Sequence, residues 1–275
     1  MSDFGAPALY AVLVWWFTTG IILFLDGLPR TSFRWSMAGA TMILIAAGLA
    51  LHWSAADASL RGAYIAFTAA ILVWGWLEMS FLMGFITGPR KHACIERCSG
   101  WRHFAHATQA IIYNEIATLL GAVAVFGATY GGPNRSAMAT YAILWAMRLS
   151  AKLNLFLGVP NLGEKFLPAH LQYLKGFFCR RPMNFLFPFS VTGATLVTAL
   201  LVQRYLSAAD AFRSTSYALL SSLLALAVLE HWFMVLPLPT DRLWIWAFKA
   251  GPGTTRRGDN LDRQLAAKAP YHPWS

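Results

Sequence analysis

Long apolar segments alternate with short polar ones along almost the whole chain. Seven windows have roughly the 20 predominantly apolar residues that a helix needs to cross a bilayer. They cover approximately residues 9–24, 35–52, 63–87, 107–130, 137–157, 185–205 and 215–238. Each is expected to be a helix, because lipid offers no hydrogen-bond partner to backbone N–H and C=O groups. The pattern predicts an all-α, polytopic membrane protein with about seven transmembrane helices in a single domain over residues 1–250.

The composition agrees with this class. Of the 275 residues, 57% are hydrophobic and 12% are charged, against roughly 45–50% and about 25% in a soluble protein. These proportions exclude a disordered chain, a nucleic-acid binder with a charged face and most soluble enzymes. The 12 Trp and 19 Phe suit a lipid-facing surface with aromatic belts at its edges. The expected partner of the surface is therefore the lipid bilayer, and nucleic acid is not expected to bind.

The net charge of +10 is informative through its distribution. If the N-terminus is periplasmic, 18 of the 22 Lys and Arg residues fall on the cytoplasmic side. The four on the opposite side are Arg61, Arg135, Arg204 and Arg213. Because cytoplasmic segments carry an excess of Lys and Arg, this asymmetry predicts a periplasmic N-terminus and a cytoplasmic C-terminus.

Two segments outside the predicted spans have a distinct character. Residues 166–178 place apolar side chains near helical spacing beside basic ones, which favours an interfacial helix on the cytoplasmic surface. A plain basic loop is the alternative. Residues 251–275 are rich in Gly, Pro, Arg and Asp, so we expect a polar cytoplasmic tail that is poorly ordered unless a partner holds it.

Five ionisable residues stand out inside the predicted spans, where charges are costly and usually face a protein interior or a cavity. They are Glu78, Glu115, Arg148 and the adjacent pair Glu230 and His231. With a rise of about 1.5 Å per residue, each is predicted to lie at a similar depth, roughly 12–15 Å inside the cytoplasmic end of its helix. The sequence therefore predicts a single polar layer contributed by four helices.

Three interpretations of this layer remain open. Glu78, Glu115, Glu230 and His231 could bind a divalent metal or a pair of irons, as carboxylates and His do in helix bundles. Alternatively, Arg148 neutralises one carboxylate and the network only fixes helix packing. The third possibility is a site for a pigment or another ligand. The usual di-iron pattern is not met, since Glu230 and His231 are adjacent and point about 100° apart around a helix.

Histidines provide the other candidate ligands. His103 and His106 form an H-x-x-H motif just before the fourth span and share one helical face, where they could face the lipid headgroups or bind a cofactor. The imidazole of His231 could be an axial ligand to the central metal of a tetrapyrrole. Motifs for nucleotide hydrolysis, dinucleotide binding and common hydrolase mechanisms are absent from the sequence.

Three stretches carry a resemblance to a known family. LEHWFMVLPLPTDRLWIWAF from Leu229, YNEIATLLGA from Tyr113 and KLNLFLGVPNLGEKFLPAHLQYL from Lys152 resemble the photosynthetic complex assembly protein 2 family, the PuhE type, of phototrophic bacteria. The resemblance implies an inner-membrane or intracytoplasmic-membrane protein that helps to build the reaction centre and its light-harvesting ring, or supplies bacteriochlorophyll to them. It implies reaction-centre or light-harvesting subunits and pigment-synthesis enzymes as partners, and it implies no catalytic residue.

Two other functions remain possible from the sequence. The first is an intramembrane metal-dependent oxidoreductase that acts on a tetrapyrrole or another lipophilic substrate, with Glu78, Glu115, Glu230 and His231 as ligands. The second is a proton-coupled transporter that uses the same carboxylates, although the absence of a visible internal repeat disfavours the repeat-built transporter folds.

Overall fold

A computed structural model describes residues 4–93, 100–163, 167–236, 243–244 and 246–247, and within these ranges the chain contains helices but no strand. The long helices are α1 (Gly5–Asp26), α2 (Phe33–Ala55), α3 (Leu60–Leu82), α4 (Gly100–Thr129), α5 (Ser136–Leu157), α6 (Leu186–Leu206) and α7 (Ala211–Phe233). Short 3-10 helices cover Arg30–Ser32 and Ala169–Phe177. The predicted tail, residues 251–275, lies outside the described residues.

Six helices in the described part of the chain are long and apolar enough to cross a membrane, namely α1, α2, α3, α4, α6 and α7. Helix α5 has 22 residues, but Arg148 and Lys152 interrupt its apolar sequence and lower its hydropathy. The protein is therefore an all-helical, polytopic membrane protein with six apolar candidate spans. The side of the membrane on which each end lies, and a seventh span, remain predictions.

Helices α3 and α7 form the centre of the bundle. More than half of the most apolar window is buried in each, 56% in α3 and 61% in α7, against 11% in α2 and 6% in α6. One buried cluster joins Phe67 and Ile71 of α3 to Ala11 of α1 and to Leu219 and Leu223 of α7. Helices α2 and α6 pack against α3 and α7, respectively, and present most of their apolar surface outward.

Helix α3 ends five residues before the predicted boundary at residue 87. Gly84 adopts a φ of +82°, a left-handed conformation that Gly reaches without a steric penalty. The Gly84 N–H then donates to the Phe81 carbonyl, and the Phe85 N–H donates back to the Ser80 carbonyl. These bonds close the helix as in a Schellman motif.

The chain after α3 continues as irregular backbone against α4. The Thr87 carbonyl accepts a hydrogen bond from the Asn114 N–H at 3.0 Å, and both residues are buried. A Cβ atom at Gly88 would lie 2.1 Å from the Gln109 carbonyl oxygen, so only glycine permits this approach. Irregular backbone within a membrane protein needs such partners inside the protein, and here it braces α4 beside Glu115.

The segment predicted as an interfacial helix over residues 166–178 is a shorter 3-10 helix, Ala169–Phe177. Its buried side chains are Leu171, Leu174 and Phe177, which lie three residues apart and share one face at three residues per turn. They pack against Phe81 of α3 and Ala110 of α4. The apolar face therefore covers the end of the helix bundle.

Candidate functional site

A cavity of about 670 Å³ lies between α1, α3, α4, α5 and α7. Residues 161–163, Leu174 and Phe177 line it at the end where the 3-10 helix packs. Most of the wall is apolar, and its aromatic side chains include Trp15, Trp74, Phe104, Phe156 and Trp244. Small-molecule sites typically have volumes of about 300–1,000 Å³ and mostly apolar walls, so the cavity has the size and character of a ligand site.

Two ion pairs lie in the wall of the cavity. Nη2 of Arg148 lies 2.6 Å from Oε2 of Glu78, and Nζ of Lys152 lies 2.6 Å from Oε1 of Glu115. Arg148 and Lys152 are four residues apart, so they share one face of α5. The Lys152 ammonium also lies 5.7 Å from the ring centroid of Phe81. Each cation of α5 thus neutralises a carboxylate from a neighbouring helix.

Glu230 is the third carboxylate on the cavity wall. Glu230 is exposed, and its exposed surface faces the cavity that it lines. Within the described ranges it forms no ion pair, although Arg148 and Glu78 are close enough to act on it electrostatically and the Trp15 side chain hydrogen-bonds to it. Among the described residues, Glu230 is therefore the cavity-lining carboxylate that no cation pairs with.

His231 occupies a different environment from its neighbour. It is 2% exposed, and its Nδ1 lies 2.9 Å from the Ala227 carbonyl oxygen. A carbonyl oxygen can only accept a hydrogen bond. Nδ1 therefore carries the proton, and Nε2 accepts from the Ser150 hydroxyl at 2.9 Å. Both ring nitrogens are engaged within the protein. Ser150 does not line the cavity, so the Ser150–His231 pair is placed to join α5 to α7.

The residues of the predicted polar layer come together on one cavity. Glu78, Glu115, Arg148, Glu230 and His231 all line it. However, no group of three or more His, Cys, Asp or Glu among the described residues could hold a metal ion. The proposed metal ligands therefore form no ligand cluster in this part of the chain. Two of the three carboxylates, Glu78 and Glu115, are paired with cations.

The depth of these residues relative to the helix ends differs from the expectation. Glu78 lies four residues from the end of α3 and Glu230 three residues from the end of α7, or roughly 5–6 Å at the rise of an α-helix. The predicted 12–15 Å assumed that both helices extend farther along the chain. Both end earlier, at Leu82 and Phe233, while Arg148 lies nine residues from the end of α5.

His103 and His106 lie on α4 but do not line the cavity. The His103 ring stacks on Phe156 with centroids 5.4 Å apart and planes 24° apart, and its buried Nδ1 has no hydrogen-bond partner among the described residues. His106 is half-buried near Arg90 and Arg102. The structure does not bring either histidine together with His231, so their role in cofactor binding remains a prediction.

Sequence reasoning missed two residues that shape the site. Lys152 was counted with the cytoplasmic loop, although its position four residues after Arg148 could have placed it on the same face. Asn161 fixes the end of α7: its N–H donates to the Met234 carbonyl at 2.9 Å, and its side-chain amide donates to the carbonyls of Phe233 and Leu236. It thereby holds the loop that lines the cavity against the helix that carries Glu230.

His170 joins the 3-10 helix to the end of α3. Its Nε2 donates to the Leu82 carbonyl at 2.7 Å, and its Cδ2 would lie 2.9 Å from a Cβ at Gly84. Burial lowers the pKa of His170 from its usual value of 6.5; the nearby Arg30 acts in the same direction, and the bond to Leu82 opposes both. The neutral form of His170 therefore suits the packed arrangement.

The fold and the site define a class: a helical membrane protein with a mostly apolar cavity whose wall carries two ion pairs. Residues 1–255 match the family described as "Protein of unknown function (DUF3623)", and the chain belongs to that family. It is 40% identical over 250 residues to the "Uncharacterized 30.4 kDa protein in puhA 5'region" of Rhodobacter capsulatus, covering 90% of this chain and 91% of that protein. No solved structure matches the chain.

Proposed function

We propose that this protein is an integral membrane factor for assembly of the bacterial photosynthetic apparatus, and that it binds or delivers bacteriochlorophyll. The observation that carries the proposal is the apolar cavity of about 670 Å³ inside the bundle. The name of the Rhodobacter capsulatus relative places its gene beside puhA, in a photosynthesis gene region. The resemblance to photosynthetic complex assembly proteins supports the same context.

The cavity suits a large, flat, lipophilic molecule. Ligand sites bury about 70–90% of the ligand surface against apolar and aromatic groups and orient it with a few polar ones. Here Trp15, Trp74 and Phe104 belong to the apolar wall, and Glu230 and the partly exposed Arg148 are among its polar groups. A bound bacteriochlorophyll would supply light absorption, whereas the protein would hold it out of water until a subunit accepts it.

The proposal places the protein in the inner or intracytoplasmic membrane, with α5 as a seventh span, the N-terminus in the periplasm and the C-terminus in the cytoplasm. The ion pairs of Arg148 and Lys152 support α5 as a span because they neutralise its two cations. Single cysteines at Gly131 and Arg180, in a variant whose three native cysteines are replaced by Ser, would flank α5. Labelling by a membrane-impermeant reagent from opposite sides is expected, and labelling from one side would contradict the seven-span topology.

Candidate protein partners are reaction-centre or light-harvesting subunits and pigment-synthesis enzymes. The pigment proposal is tested by purifying the tagged protein in mild detergent from phototrophically grown cells and recording its absorption spectrum. We expect bacteriochlorophyll, or subunits that carry it, to copurify. Purification of a folded protein that retains neither would contradict the proposal.

A matched pair of variants links binding to the cavity. Gly75 lines the cavity, and a Cβ there would meet Thr18 at 3.4 Å, so Gly75→Leu is expected to fill part of the volume and reduce pigment retention. Gly193 of α6 has nothing within 4 Å of its Cβ position. Gly193→Leu is therefore the control that should retain pigment, and equal retention by both variants would exclude this cavity as the site.

A further inference from the structure

Among the described residues, not every carboxylate on the cavity wall is paired with a cation. Glu78 and Glu115 each have a cation at 2.6 Å, whereas Glu230 forms no ion pair within the described ranges. An ionised carboxylate is costly in apolar surroundings unless it is paired or coordinates a metal. Among the described residues, Glu230 is thus the carboxylate of the wall that no cation neutralises and that a positive centre of a ligand can pair with.

The neighbouring histidine is not equivalent as a ligand. For the imidazole of His231 to bind a metal, Nε2 would have to release the Ser150 hydroxyl, and Nδ1 would have to release the Ala227 carbonyl to bind in its place. His231 is also 2% exposed, while Glu230 presents its accessible surface to the cavity. The geometry therefore separates the two adjacent residues into a structural one and a ligand-facing one.

We propose that the carboxylate of Glu230, rather than the imidazole of His231, is the group that binds the electropositive centre of the cavity's ligand. For a bacteriochlorophyll this centre is the magnesium ion, and Mg²⁺ prefers oxygen ligands to nitrogen ligands. The inference rests on the proposed pigment-binding function. His231 is a structural residue in this proposal, because both of its ring nitrogens are hydrogen-bonded within the protein, to Ser150 and Ala227.

The test compares two probes that differ in the metal. Purified wild-type protein and the variants Glu230→Ala and His231→Gln are titrated in detergent with bacteriochlorophyll a and with its metal-free counterpart. Quenching of tryptophan fluorescence gives the dissociation constants, and the shift of the pigment absorption bands reports axial ligation. We expect the wild type and His231→Gln to prefer the magnesium pigment by at least about tenfold, and Glu230→Ala to lose both the preference and the band shift.

A second variant distinguishes the loss of a metal ligand from a folding defect. Glu230→His offers an imidazole in place of the carboxylate and should restore the preference for the magnesium pigment if the residue is a metal ligand. Retention of the preference in a folded Glu230→Ala protein, or its loss in His231→Gln with Glu230 intact, would overturn the inference.

The wild-type result separates the two proposals. Equal binding of both pigments by the wild type would overturn the role of Glu230 in metal binding and leave the pigment-binding function standing. Binding of neither pigment would overturn the proposed function itself. Tighter binding of the metal-free pigment would identify Glu230 as a hydrogen-bond acceptor and would also overturn the inference.

Discussion

Helices α6 and α7 are neighbours of similar length and hydropathy with very different surroundings. The mean hydropathy of the most apolar window is 1.6 in α6 and 1.4 in α7, yet 6% of that window is buried in α6 and 61% in α7. Helix α7 buries its small and hydroxyl-bearing residues in the protein interior, where they allow close packing and hydrogen bonds between helices. Helix α6 exposes residues of the same types, such as Thr192, Gly193 and Thr195. Hydropathy and the presence of small residues therefore identify a span but not its position in the bundle.

The hydrogen bonds of the two helices show the same contrast. The Ser216 hydroxyl of α7 lies 2.9 Å from the Ser136 hydroxyl of α5, so it joins two helices. The Thr198 hydroxyl of α6 donates to the Ala194 carbonyl of its own helix at 2.8 Å. The Ser216 hydroxyl thus links two helices, whereas the Thr198 hydroxyl is satisfied within its own helix.

The largest difference in the free energy of unfolding between variants at the centre of the bundle and variants at its edge is expected for the charged residues. Arg148→Leu removes the partner of Glu78, and breaking a buried ion pair costs roughly 3–5 kcal/mol. We expect a loss near the lower limit, because part of the Arg148 side chain faces the cavity. The free energy of unfolding in detergent measures it, and Arg204→Leu at the exposed end of α6 is the control. Equal stability of wild type and Arg148→Leu would contradict the structural role of the pair.

Adding bulk to a small side chain should give the next largest difference in the free energy of unfolding between the centre and the edge of the bundle. Ala70 of α3 is fully buried, so Ala70→Leu forces its neighbours apart and is expected to destabilise the protein by about 1–3 kcal/mol. Ala199 of α6 is exposed, and Ala199→Leu should leave the free energy of unfolding nearly unchanged. A similar effect at both positions would show that α6 is covered in the folded protein.

A smaller effect is expected from the hydroxyl groups. Ser216→Ala removes the bond to Ser136, and hydrogen bonds between membrane helices contribute about 0.6 kcal/mol on average. Thr198→Ala removes only a bond within α6 and should have no measurable effect. The comparison uses the same unfolding assay, and a larger loss for Thr198→Ala would reverse the assignment of centre and edge.

The last prediction concerns the 3-10 helix that covers the end of the bundle. Because the folded state lowers the pKa of His170 below its usual 6.5, an unpacked segment binds a proton more readily. Packing of the 3-10 helix should therefore be unaffected at high pH and weaken as the pH falls below about 6.5. A lower protection factor for hydrogen exchange at the Leu171 amide, corrected for the intrinsic rate at each pH, would report this change, and His170→Gln should remove the pH dependence.

The sequence predicted the helices better than it predicted their ends. Six of the predicted windows correspond to apolar candidate spans because their hydropathy is unbroken. The end of α3 was missed because the apolar sequence continues past Gly84, and only the left-handed conformation of that residue stops the helix. The segment predicted as an interfacial helix contains a 3-10 helix over Ala169–Phe177, because the packing of Leu171, Leu174 and Phe177 against the bundle favours a three-residue repeat.

The polar layer was visible from the sequence, but its pairing was not. Charges inside apolar windows stand out, so Glu78, Glu115 and Glu230 could be named. Which cation meets which carboxylate depends on how α3, α4 and α5 turn towards one another, and no local pattern encodes that rotation. Lys152 was missed for this reason, since near the end of a helix it looks like a residue of the following loop.

The two ion pairs also bear on the order in which the chain enters the membrane. A helix that carries Arg or Lys near its centre inserts poorly alone, at an apparent cost of about 2.5–3.5 kcal/mol for each charge. Helix α5 carries Arg148 near its centre and Lys152 nearer its end, and their carboxylate partners lie on α3 and α4, which are synthesised earlier. If α5 spans the membrane as proposed, we expect it to enter beside helices that already hold its counter-ions.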